Sequence, residues 1–388
     1  MEQQLGAAAA LAGLPSVGPR RLTALLAGRA PAEAWVLATS GRRSLLQEVL
    51  GGEAGLTALT EAWSAAGRGI DLTAVLAAHA AAGVAVRVHP GARGSQEDEA
   101  DPAWPSYPEA LVDDLEPPAV LLTQGPLEHL EGPRVAIVGT RRCTGVGAGV
   151  ARELGRELSA AGVHVVSGLA LGIDGAAHRG VLDAMSAHDD AAPPIGVVGS
   201  GHDVVYPTRH RELWRTVADR GLLVSEAPLG TRPTGWRFPA RNRVIAALAD
   251  VVVVVESHAA GGSLHTVQEA IHRDIDVMAV PGSVRSAAAA GSNQLLAEGC
   301  HPVRDAGDVL VALGLQRARR RRVVEHRDAP STVGTSVLEA FDWEPATLEH
   351  LAVRTGLALP ELAVALEGLV AAGWVGVDGG WYERRAAS

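Results

Sequence analysis

Between Arg134 and Val280 the chain repeats one pattern six times: a short apolar run of strand length, closed by Gly, Ser, Pro or Glu, then an amphipathic segment. The runs are Val135–Val138, Val163–Val166, Ile195–Val198, Leu222–Val224, Val251–Val255 and Val277–Val280. Their hydrophobicity is continuous rather than alternating, so the strands they predict are covered on both faces. Strands that alternate with helices and are buried on both sides form a parallel sheet with helices above and below. The predicted fold class is therefore α/β, a Rossmann-like doubly wound parallel sheet. In such sheets ligands sit at the carboxyl ends of the strands, which makes the residues closing each run the ones to read for function.

The flanks have other textures. Residues 1–90 are Ala/Leu-rich with helical spacing, as in the stripes Leu22, Leu25, Leu26 and Leu45, Leu46, Val49. This predicts a helical N-terminal domain of the SAM or helix-hairpin-helix kind. Its Leu14-Pro15-Ser16-Val17-Gly18-Pro19-Arg20 segment reads as a tight turn between helices. Such a turn can offer backbone N–H groups to a DNA phosphate, or it is a plain helix connection, which is the simpler reading. Residues 91–314 hold the sheet, opening on a Gly/Pro-rich loop over Gly91–Pro108. Residues 315–332 carry an arginine run and read as a linker. Residues 333–388 show two helical patterns, then a hairpin around Asp378-Gly379-Gly380, the order expected of a winged helix. Three Arg against eight Asp plus Glu make that segment a poor DNA reader and a better protein-contact module.

Composition excludes several chemistries. All 34 basic residues of the 388 are arginine. Without lysine there is no Walker-A phosphate loop, no Schiff base and no pyridoxal site in this chain. A net charge of −10 repels nucleic acid overall, so any such binding needs a local basic face. Arg134–Arg243 supplies one, with 14 Arg against 10 Asp plus Glu. The two thiols, Cys143 and Cys300, have neither disulfide-framework nor zinc spacing and suit a reducing cytoplasm. The N-terminus lacks a basic leader region and no apolar run is long enough to span a bilayer, so a cytoplasmic protein without membrane contact is expected.

Read in order, the strand ends carry Gly139-Thr140-Arg141-Arg142, Ser167-Gly168-Leu169-Ala170-Leu171-Gly172-Ile173-Asp174, Gly199-Ser200-Gly201 with Tyr206-Pro207, Ser225-Glu226, and Glu256 followed by Gly261-Gly262-Ser263. Glycine at a strand end admits a ligand close to the backbone, and helix N-termini there attract phosphate. Arg232, Trp236, Arg237, Phe238, Arg241 and Arg243 interleave cations with flat faces, as single-stranded nucleic acid requires. Asp174, after Gly172, reads as a helix N-cap.

These motifs, with Phe238-Pro239-Ala240-Arg241-Asn242-Arg243, Ala279-Val280-Pro281-Gly282 and Gly291-Ser292-Asn293, resemble the DNA-processing protein A (DprA, or Smf) family from about Trp104 to Leu313. The resemblance implies a homodimeric single-stranded-DNA-binding protein that protects incoming DNA and helps load RecA recombinase in transformation. No catalytic activity, metal or cofactor is expected. Carried over by position, Gly139, Arg141 and Arg142 would grip phosphates, and Ser167 and Gly168 would floor the pocket. Arg237, Arg241, Asn242 and Arg243 would complete the basic face. Gly262, Ser263 and Thr266 would form the far wall, with Asn293 nearby. Two positions depart from the pattern: Leu171, where some relatives are basic, and Glu269, where a small residue is common. The rival reading is a nucleoside-monophosphate phosphoribohydrolase using Gly262, Thr266 and Glu269.

Overall fold

All six apolar runs become parallel strands in the computed structural model, which describes residues 1–52, 55–94, 102–315, 329–341 and 345–385. They are β3 (Arg134–Val138), β4 (His164–Ser167), β5 (Ile195–Val198), β6 (Leu222–Ser225), β7 (Val251–Val254) and β8 (Asp276–Ala279). With β1 (Ala85–Val88), β2 (Val120–Gln124) and β9 (His301–Pro302) they form a nine-stranded sheet ordered β1-β2-β6-β5-β4-β3-β7-β8-β9. From β3 the chain steps outward through β4, β5 and β6, then returns to lay β7 on the other side of β3. Val135 pairs with Val165 on one side and Val251 on the other, so β3 is an interior strand with a parallel neighbour on each side. The order reverses between β3 and β7, and this switch point is where an open α/β sheet offers a crevice to a ligand.

Strands β3 to β7 are buried on both faces because helices cover both. Val135, Ile137, Val251 and Val253 pack under α7 (Gly145–Ala160), α8 (Ile173–Ala187) and α13 (Ala306–Ala312). Ala136, Val138, Val252 and Val254 pack under α10 (Arg237–Ala247), α11 (Ser263–Ile271) and α12 (Ala290–Ala297). The α7–α8 crossing is close: a Cβ on Gly155 would meet the Ala177 carbonyl oxygen at 2.2 Å, and one on Gly180 the Arg152 carbonyl oxygen at 1.9 Å.

Six helices, α1 (Glu2–Ala12) to α6 (Leu72–Ala81), precede the sheet among the described residues. They and the sheet form a single compact unit, Met1–Arg317. The sheet begins before residue 90, since β1 pairs antiparallel with β2 and Val86, Val120 and Leu122 share a core with Leu11, Leu25 and Trp63. His79 of α6 joins the two parts by a side-chain bond. Its Nδ1 bonds the Val75 carbonyl, and its Nε2 accepts the Leu229 N–H at 3.2 Å. In the turn before α2 (Pro19–Leu26), Gly18 N–H donates to Ser16 and Val17 N–H to Leu14. Trp63 Nε1 donates to the Pro15 carbonyl. Those internal bonds favour the plain helix connection over a phosphate-offering turn.

The second unit, Ala318–Ser388, holds α14 (Thr332–Glu339), α15 (Leu348–Thr355) and α16 (Leu359–Ala371) with a three-stranded sheet. Strands β11 (Val375–Asp378) and β12 (Trp381–Arg384) form the expected hairpin, and Gly379 and Gly380 both take positive φ in its two-residue turn. Phe341, Leu351, Leu362, Leu366 and Leu369 fill its core. The arginine run Arg317–Arg322 lies outside the described residues.

Two histidines make the first unit acid-sensitive. His178 and His202 are buried, and burial pushes both down from 6.5 to about 4. The unfolded chain takes up those protons near pH 6.5 while the folded chain refuses them until about pH 4. Stability is therefore full above pH 6.5 and falls as pH drops through that window, by about 3 kcal/mol for each histidine at the bottom. Thermal melts from pH 7 to 4.5 should show this slope, and His178→Gln/His202→Gln should flatten it. An equal slope in that variant would assign the effect to other groups.

Candidate nucleic-acid interface

At the carboxyl end of β4 the chain runs through Ser167, Gly168 and Leu169, and Leu169 adopts φ 53°, a strained value for a buried leucine. This bend opens a solvent-accessible cleft with about 420 Å³ of empty space. Arg141, Gly168, Leu171, Ser200, Tyr206, Phe238 and Arg241 are among its walls. The arginines come from two elements: Arg141 from the loop after β3, Arg241 from the second turn of α10.

Arg241 is the unusual member. It is 7% exposed, and its Nε has no hydrogen-bond partner among the described residues. One edge of the guanidinium abuts Gly168, so close that a Cβ there would sit 1.5 Å from an Arg241 nitrogen. Burial draws its pKa down to about 10, against the pull of Asp174, and it stays charged at neutral pH. Asp174 is 6% exposed and accepts the Gly168 N–H at 3.1 Å; burial pushes its carboxyl up and Arg241 opposes that. Asp174 is therefore not the N-cap, a place held by Gly172; it lies inside the first turn of α8 and reaches back to the strand end.

Flat faces accompany the cations. The Arg141 guanidinium carbon is 4.9 Å from the Phe238 ring centroid, and Phe238 lies 5.5 Å from Tyr206. Arg237 stacks on Trp236 at 4.5 Å. Tyr206 and Trp236 are 41% and 43% exposed, large enough fractions to meet a base, whereas Trp104 and Trp214 are buried. Tyr206 and Ser200 carried no role in the sequence reading. An exposed aromatic closing a β-strand loop was the available signal for Tyr206.

The structure sorts the remaining residues. Arg142 is exposed beside Arg141, and its backbone N–H donates to Thr140 Oγ1. Gly139 is needed where it is, because a Cβ would strike Ile173 at 2.5 Å and the Glu256 carbonyl at 2.6 Å. The Ser167 hydroxyl is fully buried and donates to the Ile137 carbonyl, beneath the cleft rather than on its surface. Asn242 turns to the Gly262 carbonyl at 3.3 Å and so links α10 to the start of α11. Arg243 is not on the basic face. It is 4% exposed, paired with Glu226 and bonded to the Glu116 carbonyl.

The expected far wall is occupied by internal bonds. Ser263 donates to Ser257, Thr266 is 1% exposed, and Asn293 clamps Gly282 through both its amide nitrogen and its oxygen. Glu269 points away from the cleft to Arg273, which also holds Asp114 through two bonds. An acidic side chain held away from the cleft does not oppose an anion there. That geometry also disfavours the phosphoribohydrolase reading, whose catalytic glutamate would be held in an ion pair. No group of His, Cys, Asp and Glu among the described residues is arranged to hold a metal ion, and no helix among them is long and apolar enough to cross a membrane.

Comparison with known proteins adds the following. The model of the family described as DNA recombination-mediator protein A matches residues 101–314. Protein Smf of Synechocystis sp. is 31% identical over 321 residues, 73% of this chain and 79% of that protein. The DNA processing protein DprA of Bacillus subtilis is 36% identical over 208 residues, 53% of this chain and 68% of that protein. The X-ray structure of DNA processing protein A from Streptococcus pneumoniae aligns with a TM-score of 0.53 and 27% identity, over 76% of this chain and 98% of that one.

Proposed function

The chain belongs to the DNA recombination-mediator protein A family, and from that premise we propose that it binds single-stranded DNA, with little sequence preference, in the cleft between Arg141 and Arg241. The observation that carries the reading is Arg241 itself: a buried, charged side chain whose Nε lacks a partner among the described residues and which lines an open cleft. Leaving a buried charge under-bonded costs stability, and an incoming phosphate offsets that cost with its opposite charge at the guanidinium. Arg141 adds a second cation at the rim, and Phe238, Tyr206 and Trp236 offer faces on which bases stack. None of these contacts reads base edges, so the mode is grip and stack.

In the cell this activity would keep strands single and hand them to a RecA-type recombinase, with the protein acting as a homodimer in the cytoplasm. The acidic C-terminal unit, whose helices and hairpin suit a winged helix, would contact protein rather than DNA.

The test compares labelled oligo-dT with a duplex of equal length across a salt series. Selective binding to the single strand is expected, with log affinity falling against log salt by about 0.7 per phosphate neutralised. Equal affinity for duplex, or indifference to salt, would end the proposal. Arg141→Ala should weaken dT, dA and mixed oligomers alike, by about tenfold, and flatten the slope by about 0.7. A loss confined to one base would point to direct readout instead.

A further inference from the structure

The crevice at the switch point between β3 and β7 is where a doubly wound sheet ordinarily seats a ligand phosphate, against the first helix N-terminus. Here the chain fills it with its own carboxylate. Glu256, just beyond β7, is 8% exposed. Its side chain accepts the Thr144 N–H at 2.9 Å through one oxygen and the Thr144 hydroxyl at 2.7 Å through the other. Its backbone carbonyl accepts the Thr140 N–H at 2.7 Å. A Cβ on Gly147 would lie 2.4 Å from the carboxylate carbon, so α7 and the carboxylate meet with no room for a side chain.

Thr140 and Thr144 are the two ends of one short loop, and between them stand Arg141 and Arg142. We propose that Glu256 is a positioning residue for DNA binding: its carboxylate clamps the Thr144 end of the arginine loop, whose Thr140 end its backbone carbonyl holds, and thereby aims Arg141 over Phe238 and into the cleft. This rests on the proposed single-stranded-DNA reading. The clamp and plain electrostatics predict opposite signs. Glu256 is an anion close to the cations that meet phosphate, so on charge alone its removal would tighten DNA binding. If it aims the loop, its removal loosens Arg141 and weakens binding, because each side chain must then be ordered on binding.

The experiment measures oligo-dT affinity for full-length wild type, Glu256→Ala, Glu256→Gln, and Glu256→Ala combined with Arg141→Ala/Arg142→Ala. Weakening of about tenfold is expected for Glu256→Ala, from the freedom regained by two arginines, with Glu256→Gln intermediate since its amide oxygen still accepts one bond. In the background lacking both arginines Glu256→Ala should cost less than about twofold, because the clamp acts only through them. A second arm needs no DNA. Trypsin cuts after Arg141 and Arg142 only when the loop opens, and that cleavage should rise by about tenfold in Glu256→Ala while cutting elsewhere in the chain is unchanged.

Unchanged or tighter DNA binding by Glu256→Ala overturns the proposal, as does an equal loss without the arginines, or trypsin cleavage at the loop that does not rise. If wild type fails to bind oligo-dT, the functional reading falls by itself and the trypsin arm alone decides the clamp: no rise in loop cleavage rejects it, and a rise retains it.

Discussion

Arg241→Met is expected to weaken single-stranded DNA binding by about 100-fold, near the upper value for losing a charge-assisted contact in a desolvated site, without lowering the melting temperature. Methionine keeps an unbranched stem but removes the guanidinium that abuts Gly168, and with it the charge. For most buried arginines such a change would unfold the protein, because a carboxylate partner would be stranded. Here the balance differs. The Arg241 Nε has no acceptor among the described residues, and Asp174, which loses the neighbouring cation, still accepts the Gly168 N–H. The Asp174 carboxyl, already raised by burial, rises further when the opposing cation is removed. Oligo-dT titration and a thermal melt on the same sample give both answers. A fall of more than a few degrees, with binding lost only in proportion to unfolding, would make Arg241 a structural residue and remove the central support of the proposed function.

The largest stability loss should come from Gly180, far from the cleft. A methyl there would press into the Arg152 carbonyl 1.9 Å away, and neither backbone can move without separating α7 from α8. Gly180→Ala is expected to cost about 3 kcal/mol, at the upper end for overpacking. For a unit the size of Met1–Arg317 that lowers the melting temperature by roughly 4–5 °C. Gly149→Ala is the control. It lies in α7, where an added Cβ meets nothing within 4 Å, and it should stabilise by about 0.5–1 kcal/mol through the helix preference of alanine. If both substitutions proved neutral, the close crossing would be wrong.

The parallel strands were legible because two-sided burial writes itself as unbroken runs of valine, isoleucine and leucine, and all six were found within two residues of their ends. The antiparallel edge was not. Ala-Val-Arg-Val of β1 is four residues with one arginine, and its pairing with β2 across more than thirty residues has no local signature. The candidate site was half legible. Glycines and arginines at strand ends located the cleft, but Arg243 was placed on the wrong side. Helix geometry held that answer in advance: residues two apart point about 200° from one another, so Arg241 and Arg243 cannot both face one cleft, whereas Arg237 and Arg241 lie on one side. Whether a seryl or asparagine side chain is free or already bonded depends on partners remote in sequence, as with Ser263 and Asn293.

The antiparallel strand β1 has a consequence for anyone who would shorten this protein. Composition invites a cut near residue 90, with helices discarded and sheet retained. That cut strips β1 from β2 and leaves the backbone N–H and C=O groups of Val120–Gln124 facing water along a strand whose apolar side chains were covered. Such an edge pairs with whatever extended chain it meets, including its own copies. A truncated protein would then associate through an accidental seam, and its oligomers could pass for a native assembly. Strand β1 is in this sense a guard as well as a neighbour, and a minimal fragment should begin ahead of Val84 with β1 intact, so that the sheet keeps the edge it has in the whole chain.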